Sequence, residues 1–548
     1  MPPKKTAAPK KGAATKVSAA SKKASKKAST KQAAKPAATR KPAATRKPAA
    51  RSTATKRRRD DDDDDDDQDV SAPTVGRPKK APKLNGTAAP GRAKANGTAR
   101  GTARSASASA SVSAPINTRP VQKLNVFVFG EGRFGELGLG NQKHEGKKPI
   151  NVKRPRINHN LLADKVGVVQ VACGGMHAVA LTADNKILTW GVNDLKALGR
   201  DPVFEDPGSD NDSDASDDDD YRGLDLGESN PGEVDLSAFK EVPQWVQVTA
   251  TDSATFALTE TGDVYGWGTF KGSEGVLGFS KDVVLQSTPV QVAGLKNITS
   301  LAAGTNHMLA LDKDGKVFTW GHGGEFQLGW KPASRHAGPK ATLEPHVCGR
   351  FTKSKHAVKI AAGSYHSFYI DNHGKLHSWG LNNFSQTGHS EHAGQDNAII
   401  TTVKAVRALR DYEIVHVDGG EHHSVACSAD GKLFTWGRID SHQVGLPTDS
   451  FTEDNSIVGA NGKPRILVQP TVIPNVPASF AAAGTDTTIA ITPDGEAYSW
   501  GFSENYQTGL GTTDDVEIPT IIDNTAVRDE KLVWAGCGGQ YSMLASTQ

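Results

Sequence analysis

Apolar positions in this chain come in short bursts that repeat. In AAGTNHMLALDKDGKVFTWG, from Ala302 to Gly321, a small-residue strand with Gly leads through x-x-His into an apolar strand, a turn, and a strand ending in Trp-Gly. CGGMHAVALTADNKILTWG, AGSYHSFYIDNHGKLHSWG and GGEHHSVACSADGKLFTWG repeat the arrangement, and AGTDTTIAITPDGEAYSWG repeats it with Thr487 in place of His. The segments are rich in Val, Ile, Phe and Thr, as antiparallel strands require. The turns Asp314-Gly315, Asp430-Gly431, Asp494-Gly495 and Asp184-Asn185 predict type I′ hairpins, in which both central residues need positive φ.

Trp-Gly, or Phe-Gly, ends a strand at Gly130, Gly191, Gly268, Gly321, Gly380, Gly437 and Gly501, at intervals of 61, 77, 53, 59, 57 and 64 residues. An irregular stretch with a Gly-Leu-Gly-like turn follows, as in GELGLG, KALGR, GVLGF and FQLGW. Each unit is a small sheet that cannot cover both its faces alone, and radial stacking covers them. The fold class is therefore all-β, a seven-bladed β-propeller over residues 125–548. NVFVFG at Asn125 has no Gly-x-x-His strand before it, and LVWAGCGGQYSMLAS at Leu532 has no Trp-Gly after it. Pairing these half-blades closes the ring and removes two exposed edges.

Charge adds a second region. Residues 1–124 hold almost no large apolar side chains and carry 30 Lys and Arg against 9 Asp, a surplus of 21, which leaves the rest of the +4 chain at −17. Such a segment cannot offset its ordering entropy and is predicted to be a disordered basic arm. Its cations would release counterions from phosphates, so it reads as a nucleic-acid tether without sequence preference. Lys56, Arg57, Arg58 and Arg59 form a nuclear-import cluster, and Arg77, Lys79 and Lys80 in GRPKK resemble a minor-groove AT-hook core. Asp60–Asp67 is a polyaspartate that competes for the basic stretches. The 77-residue interval contains a predicted disordered acidic insert, about 205–233, with 12 acidic residues and one Arg. It reads as a tolerated surface insertion, with histone tethering or DNA mimicry as the functional alternatives.

The four cysteines are scattered without a CxxC pair and read as buried thiols, with no metal site or cofactor expected. His177, His307, His366 and His423 recur at one position of the repeat, which points to a shared packing or hydrogen-bonding role. No HExxH, GxSxG or GxxxxGK[ST] occurs in the body, so the chain is not read as an enzyme of covalent chemistry. No apolar run approaches about 18 residues, and no membrane partner is expected.

GEGRFGELGLG, VACGGMHAVAL, GVNDLKALGRD and GWGTFKGSEGVLGF resemble the repeats of the regulator of chromosome condensation family, over Asn125 to Gln548. The resemblance implies a fungal-type member: a guanine nucleotide exchange factor for the small GTPase Ran, nuclear and chromatin-associated, monomeric, and acting by stabilising the nucleotide-free GTPase. It implies a β-wedge at Phe270, Lys271, Gly272, Ser273 and Glu274, which differs from the family's Arg-Asp-Asn-Asn type run. It implies loop contacts to the GTPase from His177, Asp252, Asn306, His422 and Tyr541. Asn306 stands where the family has Asp, keeping an acceptor and losing a charge. The segment Lys331–His356 matches a loop that reaches the histone acidic patch, with Arg335, Lys340 and Arg350 as candidates and a merely solvated basic loop as the alternative. Histones, nucleosomal DNA and a nuclear import receptor are the remaining implied partners. The rival reading is a chromatin-bound propeller scaffold without exchange activity.

Overall fold

Each repeat folds into an antiparallel sheet, four-stranded in six blades and five-stranded in the sixth, whose apolar positions face its neighbours. A computed structural model describes residues 114–202, 221, 223–334 and 338–548. These residues form seven blades. Blade 1 joins Leu124–Gly130 and Val152–Ile157 to Leu532–Cys537 and Tyr541–Thr547, with seven consecutive pairs from Leu124 opposite Thr547 to Gly130 opposite Tyr541. Blades 2 to 7 begin at Val168, Trp245, Ile298, Ala357, Ile414 and Phe480. The first strand of every repeat lines a central channel.

The two sequence signatures meet across each blade boundary. The indole of Trp379 in blade 5 donates to Gln327 O of blade 4 at 2.8 Å. A Cβ on Gly329 would lie 3.0 Å from Trp379 Nε1, and Gly329 has φ +71°, so the Leu-Gly turn needs its glycine on both counts. Trp436, Trp500, Trp267 and Trp190 make the same kind of bond to the preceding blade. The Trp-Gly glycine is equally constrained: at Gly321, φ is +110° and a Cβ would meet Asn306 O at 2.7 Å.

Three expectations are corrected. The hairpin turns are not type I′, because positive φ occurs at Asn185, Gly315, Gly431 and Gly495 but not at the preceding Asp. Gly315 N instead bonds Asp312 O at 3.0 Å, and the Asp312 carboxylate accepts from Asp314 N and Lys316 N. This is a tight turn closed by a left-handed residue, and the side chain at the strand end does the capping. The acidic insert is shorter than 205–233, since Tyr221 and Ser229 are buried and Gly232–Glu233 supplies the outer strand of blade 2. Arg200 anchors this stretch by donating to Gly227 O at 2.7 Å and Asn230 O at 3.3 Å; residues 203–220 lie outside the described residues. The arm also ends earlier than 124. Ile116 N and Asn117 N bond Glu260 O, and Arg119 donates to Ala183 O, which pins residues 116–119 beneath the hairpin turns.

All four cysteines are free. Burial pushes the Cys427 and Cys537 thiols up to about 12, which leaves them protonated and unreactive. Among the described residues no helix is long and apolar enough to cross a membrane.

Candidate functional site

One end of the propeller gathers the turns between first and second strands and the loops after Trp-Gly. The turns are stitched together: Asp252 N to Thr305 O at 2.8 Å, Thr305 Oγ1 to Ser364 Oγ at 2.7 Å, Ser364 N to Gly420 O at 3.0 Å, and Gly539 N to Gly175 O at 2.8 Å. Beneath them the recurrent histidines fasten blade to blade. His307 Nε2 bonds Ser367 Oγ of the next blade at 2.8 Å, and that hydroxyl donates to Gln327 O at 2.8 Å. His177 to Thr255, His366 to Ser424 and His423 to Thr488 repeat the relay at 2.8–2.9 Å. Burial holds these rings neutral, lowering His177 to about 4 and His307 and His423 to about 3.

This corrects two predicted contacts. His177 is 1% exposed and serves the relay, and Tyr541 is fully buried with its hydroxyl donating to His177 O at 2.7 Å. The outward residue is the one before each of them. Asn306 and His422 precede buried His307 and His423 and are part-exposed, so their counterparts are Met176 and Gln540, which the sequence reading missed. The alternation of a strand end supplies the signal: adjacent residues face opposite ways.

The wedge stands on this end. Phe270–Gly272 and Gly275–Gly278 pair as a hairpin beside blade 3. Phe270 is fully buried, its ring 5.8 Å from Phe256, which in turn packs 5.7 Å from Trp320. Phe270 is therefore the root of the wedge rather than a contact surface, a third correction. Lys271 ties the wedge to two neighbouring turns, through its backbone N–H to Asn306 Oδ1 at 2.8 Å and its ammonium to Asp252 Oδ2 at 2.7 Å. Asp252, Lys271 and Asn306 thus come together as one cluster. Ser273, Glu274, Gly275 and Val276 are exposed at the tip, and Gly272 is part-exposed.

Apart from His422, a second sector was not predicted. The Arg438 and Arg465 guanidinium carbons lie 5.4 and 4.7 Å from the Phe384 ring centroid, and His422 meets the same ring edge-on at 4.7 Å. Burial, then the two arginines, lowers His422 to about 4. Burial raises the Glu421 and Asp486 carboxyls, and Gln443 Nε2 holds Asp486 at 2.7 Å. Most of these residues lie inside Gly-x-x-His or shortly after Trp-Gly, positions that a repeat search finds and then ignores.

Lys340 and Arg350 are exposed on the segment between blades 4 and 5. Arg335, and the arm residues Lys56, Arg57, Arg58, Arg59, Arg77, Lys79 and Lys80, lie outside the described residues.

The RCC1-like domain model matches residues 125–544. "Guanine nucleotide exchange factor SRM1" of Saccharomyces cerevisiae is 40% identical over 432 residues, covering 77% of this chain and 87% of that protein. "Regulator of chromosome condensation" of Homo sapiens is 31% identical over 429 residues, covering 76% and 90%. The crystal structure of Prp20p from Saccharomyces cerevisiae, described with its binding properties to Gsp1p and histones, superposes with a TM-score of 0.69 at 38% identity, covering 78% of this chain and 92% of that one. A second yeast structure holds Kap60 bound to yeast RCC1 (Prp20), at 36% identity and TM-score 0.69, covering 82% and 97%.

Proposed function

This chain belongs to the RCC1-like domain family, and from that membership we propose that it is a guanine nucleotide exchange factor for a Ran-type small GTPase. The observation that carries the reading is the wedge. A short hairpin is rooted by a buried Phe270 and tied by Lys271 to the turns bearing Asp252 and Asn306, with its tip in solvent. A rigid projection favours whichever GTPase conformation accommodates it. If that is the nucleotide-free one, with Mg²⁺ and nucleotide displaced, exchange accelerates by differential binding alone, with no covalent step. Preorganisation matters here, because a loose hairpin would spend binding energy on ordering itself.

Asp252, Asn306, His422, Met176, Gln540 and the wedge tip form the docking face in this reading. One relative, yeast Prp20, described with binding to histones and in a second structure bound to Kap60, supports chromatin association and carriage into the nucleus by an import receptor. The arm would supply import and nucleic-acid contacts, and Lys340 and Arg350 would face histone carboxylates. The protein would act as a monomer. The test is release of a fluorescent guanine nucleotide from the purified GTPase with catalytic amounts of the full chain. Multiple turnovers of release are expected, and release no faster than the GTPase shows alone would leave the scaffold reading standing.

A further inference from the structure

The propeller carries one surface that runs against its own charge. A cleft between blades 7 and 1 is lined by six Lys and Arg, among them Lys147, Lys153, Arg154 and Arg156, and by only two acids, Glu131 and Glu504. Glu131 is already bound by Arg133 at 2.9 Å. Asp523, which feels the field of Arg154, is bound by Arg528 at 2.7 Å. Lys147, Lys153, Arg154 and Arg156 have no carboxylate partner among the described residues, and Arg156 Nε is buried without a hydrogen-bond acceptor. Burial lowers the pKa of Arg156, the mark of a cation held where solvent does not stabilise it. A fold that collects unpaired cations on a body of net charge −17 needs a reason.

Edge protection is not that reason. The outer strand here, VKRPRI at Val152–Ile157, carries three cations in six residues. QSTPVQ in blade 3 and VEIPTI in blade 7 carry none and interrupt the edge with proline, as Pro155 already does in blade 1. The cations are additional to what the edge requires.

We propose that this cleft is a docking site for the backbone of double-stranded DNA, separate from the exchange face and from the basic arm. Six strand residues span about 20 Å, and although a duplex strand rises about 3.4 Å per phosphate along its axis, its backbone winds round that axis, so the strip faces a few neighbouring phosphates, in keeping with the three cations Lys153, Arg154 and Arg156. That extent exceeds a single small anion. Tyr506, the one aromatic side chain in the lining, has Lys153 Nζ over its ring at 5.2 Å, so the cleft offers charge rather than a stacking platform for unpaired bases. The cleft also lies two to three blades round the ring from the wedge, which leaves the exchange face open.

The test uses the full chain carrying K147A/K153A/R154A, three exposed positions, against a 30-base-pair duplex across a salt series. Loss of three phosphate contacts at about 0.9 each should lower the slope of log affinity against log salt by about 2.7 and weaken binding at every salt concentration. An unchanged slope overturns the proposal. So does a change seen with single-stranded DNA or an Asp-rich peptide while the duplex slope stays put. Arg154→Glu alone, should the triple variant lose its melting transition, is expected to lower the duplex slope by at least one, and no change with this variant sinks the idea equally.

Discussion

Asp252 holds Lys271 at 2.7 Å with both side chains partly open to solvent, so its carboxylate is shared between fixing the wedge and meeting a partner. An ion pair this exposed contributes about 1 kcal/mol or less to stability, and its removal should leave the ring intact. Asp252→Asn is expected to slow nucleotide exchange about 3- to 10-fold with the melting temperature nearly unchanged. If the carboxylate acts through the wedge, Lys271→Ala should match that loss and the double variant should add little, whereas additive losses would mean that Asp252 touches the GTPase independently. His307 answers differently, because it fastens two blades. His307→Ala leaves the Ser367 hydroxyl with only its bond to Gln327 O and opens a cavity, and a loss of about 2–4 kcal/mol in denaturant unfolding is expected. At this scale the sequence disclosed that the histidines share a task, but not which neighbour faces outward. His177 and Tyr541 looked like contacts because a motif gives spacing without direction; one residue of register separates them from Met176 and Gln540.

The wedge shows how an element can be decoupled from the fold that carries it. Its root is core: Phe270 packs with Phe256 and through it with Trp320, so Phe270→Ala should cost about 3–5 kcal/mol as well as activity. Its tip is not. Gly275 has φ +105° with nothing within 4 Å of where a Cβ would sit, so substitution meets backbone strain and no clash. Gly275→Val should therefore distort the tip, lower exchange by an order of magnitude or more, and shift thermal unfolding little; full exchange by this variant would show that the tip is not used. Strand order and blade count were legible because they rest on short-range patterns, whereas the wedge was implied only by the family resemblance of GTFKGSEGVLG. The turns and the insert were misread for a different reason. Asp-Gly suits several hairpin geometries, and the side chain of Asp312 four residues before Lys316 decides between them. Likewise GLDLGESNPGE reads as acidic and polar, yet Arg200 and the edge of blade 2 recruit it into the sheet.

For the whole ring, stability rests on inter-blade relays built from neutral imidazoles, and this fixes a pH dependence. Burial depresses His177, His389, His416 and His422 to about 4 and His307 and His423 to about 3, and it lowers His366 well below its ordinary value. In the unfolded chain each titrates near 6.5, so between about pH 6.5 and 4 the unfolded state binds more protons and stability falls as pH falls, by up to about 1.4 kcal/mol per pH unit for each histidine. Raised carboxyls oppose this. Burial lifts Glu136 and Asp418 to about 7 and also raises Glu228, Glu421 and Asp486, so these groups take up protons more readily in the folded ring and favour it on acidification. With His159, His322 and His377 also depressed, ten histidines against five carboxyls leave a net loss on acidification. The melting temperature should fall from pH 7 to pH 5, with the steepest part below pH 6.5. Four of the seven blade boundaries carry a histidine relay, and blades 5 and 6 have one on each side, so neither of these can leave without breaking two. His307→Gln, which keeps a hydrogen-bonding end without the titration, should start lower at pH 7 and flatten the profile. An equally steep profile in that variant would place the acid sensitivity outside the relays.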